Sequence, residues 1–281
     1  MDNTVVVYVP DNSLKKGYQT IFYEIANELR WNKWLMYQLF RRDFFAMYKQ
    51  SFVGVFWAFF MPLLSIATFM ILNRGGVLDL GDVSMPYPLY AILGMAFWQI
   101  FSAGLTAGAN ALASAGPMIT RVNFSKKALV LASLGRPTII FLVQLGMGLA
   151  MFLVYKITPS PAAFLIPLVI IPLTFLVLGL SFFLSLFNAF AKDVGNGLQV
   201  LMTFLMFLTP VLYATSGAGL LGTLTRFNPL YYYISAGRDL MTRGYITEMN
   251  GFIISSVCSI AFFFIALVFF HLTETRVAER M

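Results

Sequence analysis

Residues 41–62, from Arg41 to Pro62, read RRDFFAMYKQSFVGVFWAFFMP. The stretch opens with two arginines and an aspartate, passes through Phe45, Tyr48 and Lys49, and turns without a linker into an apolar run. Its first half suits the edge of a bilayer, where cations and rings gather. Its second half, continued to Leu72, is long enough to cross one. The only long polar region lies before it, and nearly everything after it is hydrophobic. The chain is therefore expected to be an all-α integral membrane protein.

Composition agrees. Charged residues make up 11% and apolar residues 59% of the 281, and mean hydropathy is +0.78. A soluble domain carries about 25% charge. The lone Cys258 allows no disulfide within the chain and no CxxC metal pair. The lone His271 excludes a multi-histidine metal centre. The net charge of +7 points to membrane topology rather than to nucleic acid. Met1–Thr20 lacks a basic start followed by an apolar core, so targeting is expected to come from the first span. No Gly-Lys dipeptide occurs, hence no Walker A loop; ATP-driven work would need a second polypeptide.

Working outward toward the N-terminus, Tyr18–Phe40 carries Ile21, Phe22, Ile25 and Leu29 at helical spacing, interleaved with Glu24, Asn27, Glu28 and Arg30. It is too polar to span. An amphipathic helix in the headgroup layer fits, with Trp31 and Trp34 as interface anchors beside Arg41 and Arg42. A helix packed on a soluble partner fits the same pattern. Residues 1–50 thus form a tail and interface helix, and residues 51–281 the membrane domain.

Six spans are expected in that domain, near Phe52–Leu72, Pro88–Leu112, Ala128–Tyr155, Ala162–Phe190, Leu198–Tyr213 and Phe252–His271. Lys156–Pro161 reads as a tight turn and Lys192–Gly195 as a short loop. Ala214–Gly251 is broken by Gly217, Gly219, Gly222 and Asn228-Pro229 into pieces too short to cross. Two short re-entrant helices on the outer side are expected there. With the N-terminus inside, Arg74, Lys156, Arg226, Arg238 and Arg243 fall outside, and the other fourteen of the 19 Lys and Arg fall inside. That bias places both termini in the cytosol. Arg136, just inside the third span, is expected to snorkel to the surface.

No carboxylate lies between the span boundaries and no Ser-His-Asp set can be assembled, which argues against a membrane hydrolase and a proton antiporter. No catalytic residue, cofactor or metal site is assigned. The positive signal is aromatic. Phe45, Tyr48, Phe52, Phe56 and Phe59 form one helical stripe, with Trp57 beside it, and Trp98 and Phe101 repeat the spacing in the second span. Such rings can stack on sugar faces along a path, or they can simply pack. Gly104 and Gly108 make a GxxxG that suits close helix contact. Ala113–Lys127 is the main inner loop. Pro117 can start a short helix, and Arg121, Lys126 and Lys127 would be exposed donors for a cytosolic partner or a positive anchor.

The ordered set Arg42-Asp43, Tyr48-Lys49-Gln50-Ser51, Gly54, Trp57, then Arg121-Val122-Asn123-Phe124, Lys192-Asp193-Val194 and Asn228-Pro229 resembles the permease subunits of ABC-2-type polysaccharide exporters. The family more often has Arg-Asp where Lys192-Asp193 stands. The resemblance covers about Tyr18 to Arg276. It implies a homodimer with two copies of an ABC ATPase, which binds the ATP and Mg. The implied substrate is a lipid-linked, undecaprenyl-type glycan such as O-antigen, moved across the inner membrane. It further implies that Ser114, Pro117, Arg121, Asn123, Lys126, Lys192 and Asp193 couple to the ATPase. Asn228, Pro229, Tyr231, Tyr232, Tyr233 and Arg238 would form an outer gate. A teichoic acid or capsular glycan, or an ABC-2 exporter of drugs or small lipids, is the alternative; a non-ABC channel or an isoprenoid-lipid enzyme is a different class.

Overall fold

A computed structural model describes residues 18–48, 56–75, 85–115, 125–191, 193–214 and 219–278. All regular structure among them is helical. The expected single amphipathic helix is two: α1 (Tyr18–Trp31) and α2 (Lys33–Tyr48), parted at Asn32. The Asn32 side chain donates to the Glu28 carbonyl at 2.8 Å, sharing that acceptor with its own main-chain N–H at 3.0 Å. Ile21, Ile25 and Leu39 are buried, while Trp31 and Trp34 are exposed.

The bundle follows as α3 (Phe56–Arg74), α4 (Tyr87–Ser114), α5 (Lys126–Ser133), α6 (Gly135–Val154), a 3₁₀ turn at Pro161–Leu165, α7 (Ile166–Phe190), α8 (Asp193–Leu208), α9 (Gly219–Phe227), α10 (Pro229–Thr242) and α11 (Met249–Ala278). Four stretches are long and apolar enough to cross a membrane: Tyr87–Ser114, Lys126–Val154, Pro161–Phe190 and Met249–Glu274. Phe59–Leu72 and Asp193–Leu208 are shorter apolar helices. The helix expected to reach Tyr213 stops at Leu208, because Pro210 supplies no N–H to continue it. Asp193, expected in a loop, is the first residue of α8, where its charge suits the N-terminus. The last helix runs past His271 to Ala278. Between α5 and α6 the helix breaks at Leu134, with Gly135 and Pro137 directly after; Arg136 there is exposed.

α4 is the centre. It packs on α6 and α7 along its length and on α10 near its start. It is the least apolar of the four long stretches and the most enclosed. Lipid offers helices no hydrophobic drive to associate, so close van der Waals fit must hold them. The GxxxG pair supplies it: a Cβ on Gly104 would press on Leu134 and Val177 at 3.0 Å, and one on Gly108 would overlap Ser181 of α7. α7 packs on α11 through rings. Phe175 meets Phe263 edge-on at 4.7 Å, and Phe182 lies 5.0 Å from Phe270.

Candidate functional site

Hydrogen-bonded polar and charged side chains gather at the two ends of this bundle. The end where α4 starts is built around a break in the chain. α8 closes at Leu208, and Thr209 to Tyr213 run on without helix, leaving carbonyls that no helical N–H reaches. Arg238 of α10 takes three of its donors to main-chain carbonyls: Nη1 to Pro210 at 3.0 Å, Nη2 to Val211, and Nε to Tyr90 at 3.2 Å. Its guanidinium carbon sits 3.5 Å from the centroid of the Tyr90 ring. Tyr90 and Tyr87, one turn apart at the start of α4, donate their hydroxyls to the Tyr213 and Leu212 carbonyls, each at 3.0 Å. Asn228 caps α10 by accepting from the Leu230 N–H and donates its amide to the Thr209 hydroxyl at 2.7 Å. Buried main-chain carbonyls need hydrogen-bond partners, and here three side chains from α4 and α10, those of Tyr87, Tyr90 and Arg238, supply them to the break.

Of the expected gate residues, Asn228 and Arg238 thus meet at the break. Pro229 starts α10, suited to a position whose N–H has no partner. The Tyr232 hydroxyl reaches the Arg226 carbonyl at 2.8 Å, and its ring touches that of Tyr231 edge-on. Tyr233 turns inward and shares a 2.7 Å hydrogen bond with Ser259 of α11. Asp239, next to Arg238, accepts from the Thr247 N–H at 2.9 Å and closes the turn after α10. Tyr87, Tyr90, Thr209 and Gly94 were not anticipated. The signal lay in Thr209-Pro210, a helix stop inside an apolar run. Gly94 leaves the space that the Arg238 side chain and the Val211 carbonyl fill.

At the other end, where α4 finishes, Lys127 departs from expectation. Read as an exposed donor, it is fully buried. Its ammonium donates to Glu28 of α1 at 2.7 Å and to Glu274 of α11. His271, one turn before Glu274, places Nδ1 3.4 Å from the Glu274 carboxylate and Nε2 3.9 Å from Glu24. Glu28, His271 and Glu274 offer three ligand atoms within 4.8 Å of one another. The ammonium bridging both carboxylates already supplies the cation there, and a divalent ion would have to displace it. The partners come from 99 and 147 positions away, which local pattern cannot reveal. Ser114 ends α4, Lys126 opens α5, and Asp193 opens α8 at this same end. Asn188 knits the neighbourhood: its amide donates to the Ala109 carbonyl and to Asn110, and its oxygen accepts from the Gly195 N–H at 2.8 Å. Pro117, Arg121, Asn123 and Lys192 lie outside the described residues.

The aromatic residues divide. Phe56, Trp57 and Phe59 are exposed on α3, and Phe45 on α2. Phe60, exposed as well, stacks on Phe56 at 5.7 Å and meets Trp57 edge-on. Phe52 and the Tyr48 side chain lie outside the description. Trp98 and Phe101 are buried inside the chain, because α4 has neighbours on all its faces. Arg41 and Arg42 are exposed near the end of α2; Arg41 stands over the Phe45 ring, and Arg42 pairs with Asp43 at 2.9 Å. An open, mostly apolar groove of ≈ 420 Å³ runs between Phe40 of α2, Gly135 and Thr138 of α6, and Leu178 of α7.

A profile of the family described as "ABC-2 type transporter" matches residues 35–242. The chain is similar to an O-antigen export system permease protein RfbA of Myxococcus xanthus, 28% identical over 68% of this chain and 73% of the relative. It is also similar to two proteins of the same name from Klebsiella pneumoniae, each 24% identical. One alignment covers 75% of this chain and 81% of the relative, the other 87% and 94%.

Proposed function

The chain belongs to the ABC-2 type transporter family, and on that premise we propose that it is the membrane subunit of an ATP-driven exporter of O-antigen. The observation that carries this reading is the end-to-end likeness to O-antigen export permeases, up to 94% of a relative's length. In the proposed assembly two copies of this chain pair with two ABC ATPase subunits, which bind and hydrolyse ATP. The substrate is a lipid-linked, undecaprenyl-type glycan, and the membrane is the inner one.

In this reading α3 and α8 add two spans to the four long ones, and both termini are cytosolic. The end of the bundle holding Lys127 and Ser114 then faces the ATPase, and the end holding Arg238 and Tyr90 faces outward. α9 and α10 dip into the outer leaflet as a gate whose hinge is the chain break at Thr209–Tyr213. The rings of α3, facing those of a second copy, wall the path. Exposed rings offer non-directional contact to successive sugars, while a hydrated path spares the sugar hydroxyls the cost of losing water unpaired.

The test is genetic. Deleting the gene in its native host should abolish surface O-antigen and leave lipid-linked glycan inside the cell. A plasmid copy should restore export only in the presence of the partner ATPase. Undiminished surface glycan in the deletion strain would refute the reading.

A further inference from the structure

The groove between α2, α6 and α7 belongs to neither end cluster. Its walls come from three places in the chain. Phe40 of α2 lies against Gly135, where a Cβ would come within 2.1 Å of the ring, so the missing side chain lets α2 approach α6. Thr138 and Ile139 follow on the next turn of α6, and Thr174 and Leu178 line the groove from α7. No described residue of α3 lines it, so it stands apart from the exposed rings of that helix.

The lining decides what can fill it. Its only polar side chains are the two threonines, and the Thr138 hydroxyl already donates to the Leu134 carbonyl at 2.8 Å. A sugar or a nucleotide would leave polar groups unpaired there, which is costly. Apolar walls do not hold water either. At ≈ 420 Å³ the groove lies within the usual range of ligand pockets, about 300–1,000 Å³. It opens between two stretches long and apolar enough to cross a membrane, and what it suits is hydrocarbon.

Charge decides the rest. Two of the walls lead directly into cations: Phe40 is followed by Arg41 and Arg42, and Gly135 by Arg136, all three exposed. Arg42 is paired with Asp43. Neither Arg41, over the Phe45 ring, nor Arg136 has a carboxylate partner among the described residues. Guanidinium N–H groups fit phosphate oxygens, so an apolar groove flanked by these two arginines matches a lipid that carries a phosphate.

We propose that this groove binds a bilayer phospholipid of net-negative headgroup. One acyl chain lies between α2, α6 and α7, and Arg41 and Arg136 hold the phosphate. The lipid completes the packing of the interface helix on the spans where side chains leave a gap. The inference needs only that the chain sits in a bilayer, and it stands independently of the exporter reading.

The test uses the full-length chain in phosphatidylcholine vesicles with a trace of phosphatidylglycerol carrying a diazirine in one acyl chain. A phosphatidylcholine probe with the same chains is the reference. After irradiation, peptide mapping compares labelling of Ile139 and Thr174 with that of Leu149 on α6 and Ile265 on α11, both exposed. One cation beside an anionic headgroup contributes about fivefold in binding. With two arginines, the phosphatidylglycerol probe should exceed its reference about thirtyfold in the groove, while both label Leu149 and Ile265 equally. Equal labelling of the groove by the two probes would overturn the proposal.

Arg41→Gln/Arg136→Gln changes two exposed side chains and should bring that ratio near one; an unchanged ratio would count against the site. Thr138→Trp, which fills the groove, should remove labelling of Ile139 and Thr174 by either probe. Unlabelled phosphatidylglycerol should displace the probe from the native chain, and excess inorganic phosphate should not. Undecaprenyl phosphate should compete no better than phosphatidylglycerol. Displacement by phosphate alone would mark a free-anion site, and tighter competition by undecaprenyl phosphate would assign the groove to the glycan carrier; either result overturns the proposal.

Discussion

Arg238 binds Tyr90 twice, through the main-chain carbonyl at 3.2 Å and through the ring, 3.5 Å beneath the guanidinium carbon. The same guanidinium holds Pro210 and Val211 across the chain break. One side chain therefore fixes the start of α4 to the end of α8.

Arg238→Ala should lower stability by at least about 3 kcal/mol, since hydrogen bonds from a charged donor contribute about 1.5–3 kcal/mol each. Thermal unfolding of the purified protein in detergent reads this. Arg238→Lys should recover only part, because an ammonium has no planar fork to reach both carbonyls and stack on the ring. Native stability in the alanine variant would mean the break is held by other contacts.

Gly94→Ala should disrupt the same region, because the added Cβ collides with the guanidinium and the Val211 carbonyl. Gly146→Ala is the control: nothing lies within 4 Å of its Cβ position in α6. It should be neutral or add up to about 1 kcal/mol through helix propensity. Unfolding midpoints of the two variants should move in opposite directions or stand clearly apart.

The exposed Cys258 is the chain's single cysteine, so Cys258→Ser gives a background for topology mapping. Cysteines placed at Ser114 and Asn196 should resist an impermeant maleimide in whole cells and react after lysis. Those at Thr158 and Tyr245 should react from outside. The opposite pattern would invert the orientation.

The purified chain alone should neither bind nor hydrolyse ATP, and activity should appear only with a separate ATPase. A binding isotherm with a labelled nucleotide and a phosphate-release assay are sufficient. Hydrolysis that persists after the ATPase gene is deleted from the producing strain would contradict the subunit assignment.

Replacing Phe52, Phe56 and Phe59 together by Ala should stop glycan export while the ATPase still co-purifies. Each single replacement should weaken export partly, as neighbouring rings still offer faces. Normal export by the triple variant would make the stripe a packing surface.

The class of fold was legible in composition, and the GxxxG contact and most helix positions in charge-free runs. The break between α9 and α10 at Asn228-Pro229 was legible too. Lys127 was not, because its burial depends on carboxylates 99 and 147 positions away. Trp98 and Phe101 were read as path residues alongside the α3 rings. In a helix whose rings sit among small and apolar residues, sequence does not distinguish a ring that meets lipid or a path from one that meets protein. Arg238 was singled out, but its partners are main-chain carbonyls, which no residue pattern marks. Lys192 and Arg121 lie outside the described residues.

The enclosure of α4 also bears on how the protein is made. α4 leaves the ribosome before α6, α7 and α11, so its future inner faces first meet lipid or the insertion machinery. Two of its polar side chains near the far end are provided for in the meantime. The Thr106 hydroxyl donates to the Ser102 carbonyl and the Asn110 amide to the Thr106 carbonyl, each at 2.8 Å and each within the helix. Only when α7 arrives does Asn188 add a bond between helices. The helix around which the rest is built thus keeps both of these groups bonded before its neighbours are made.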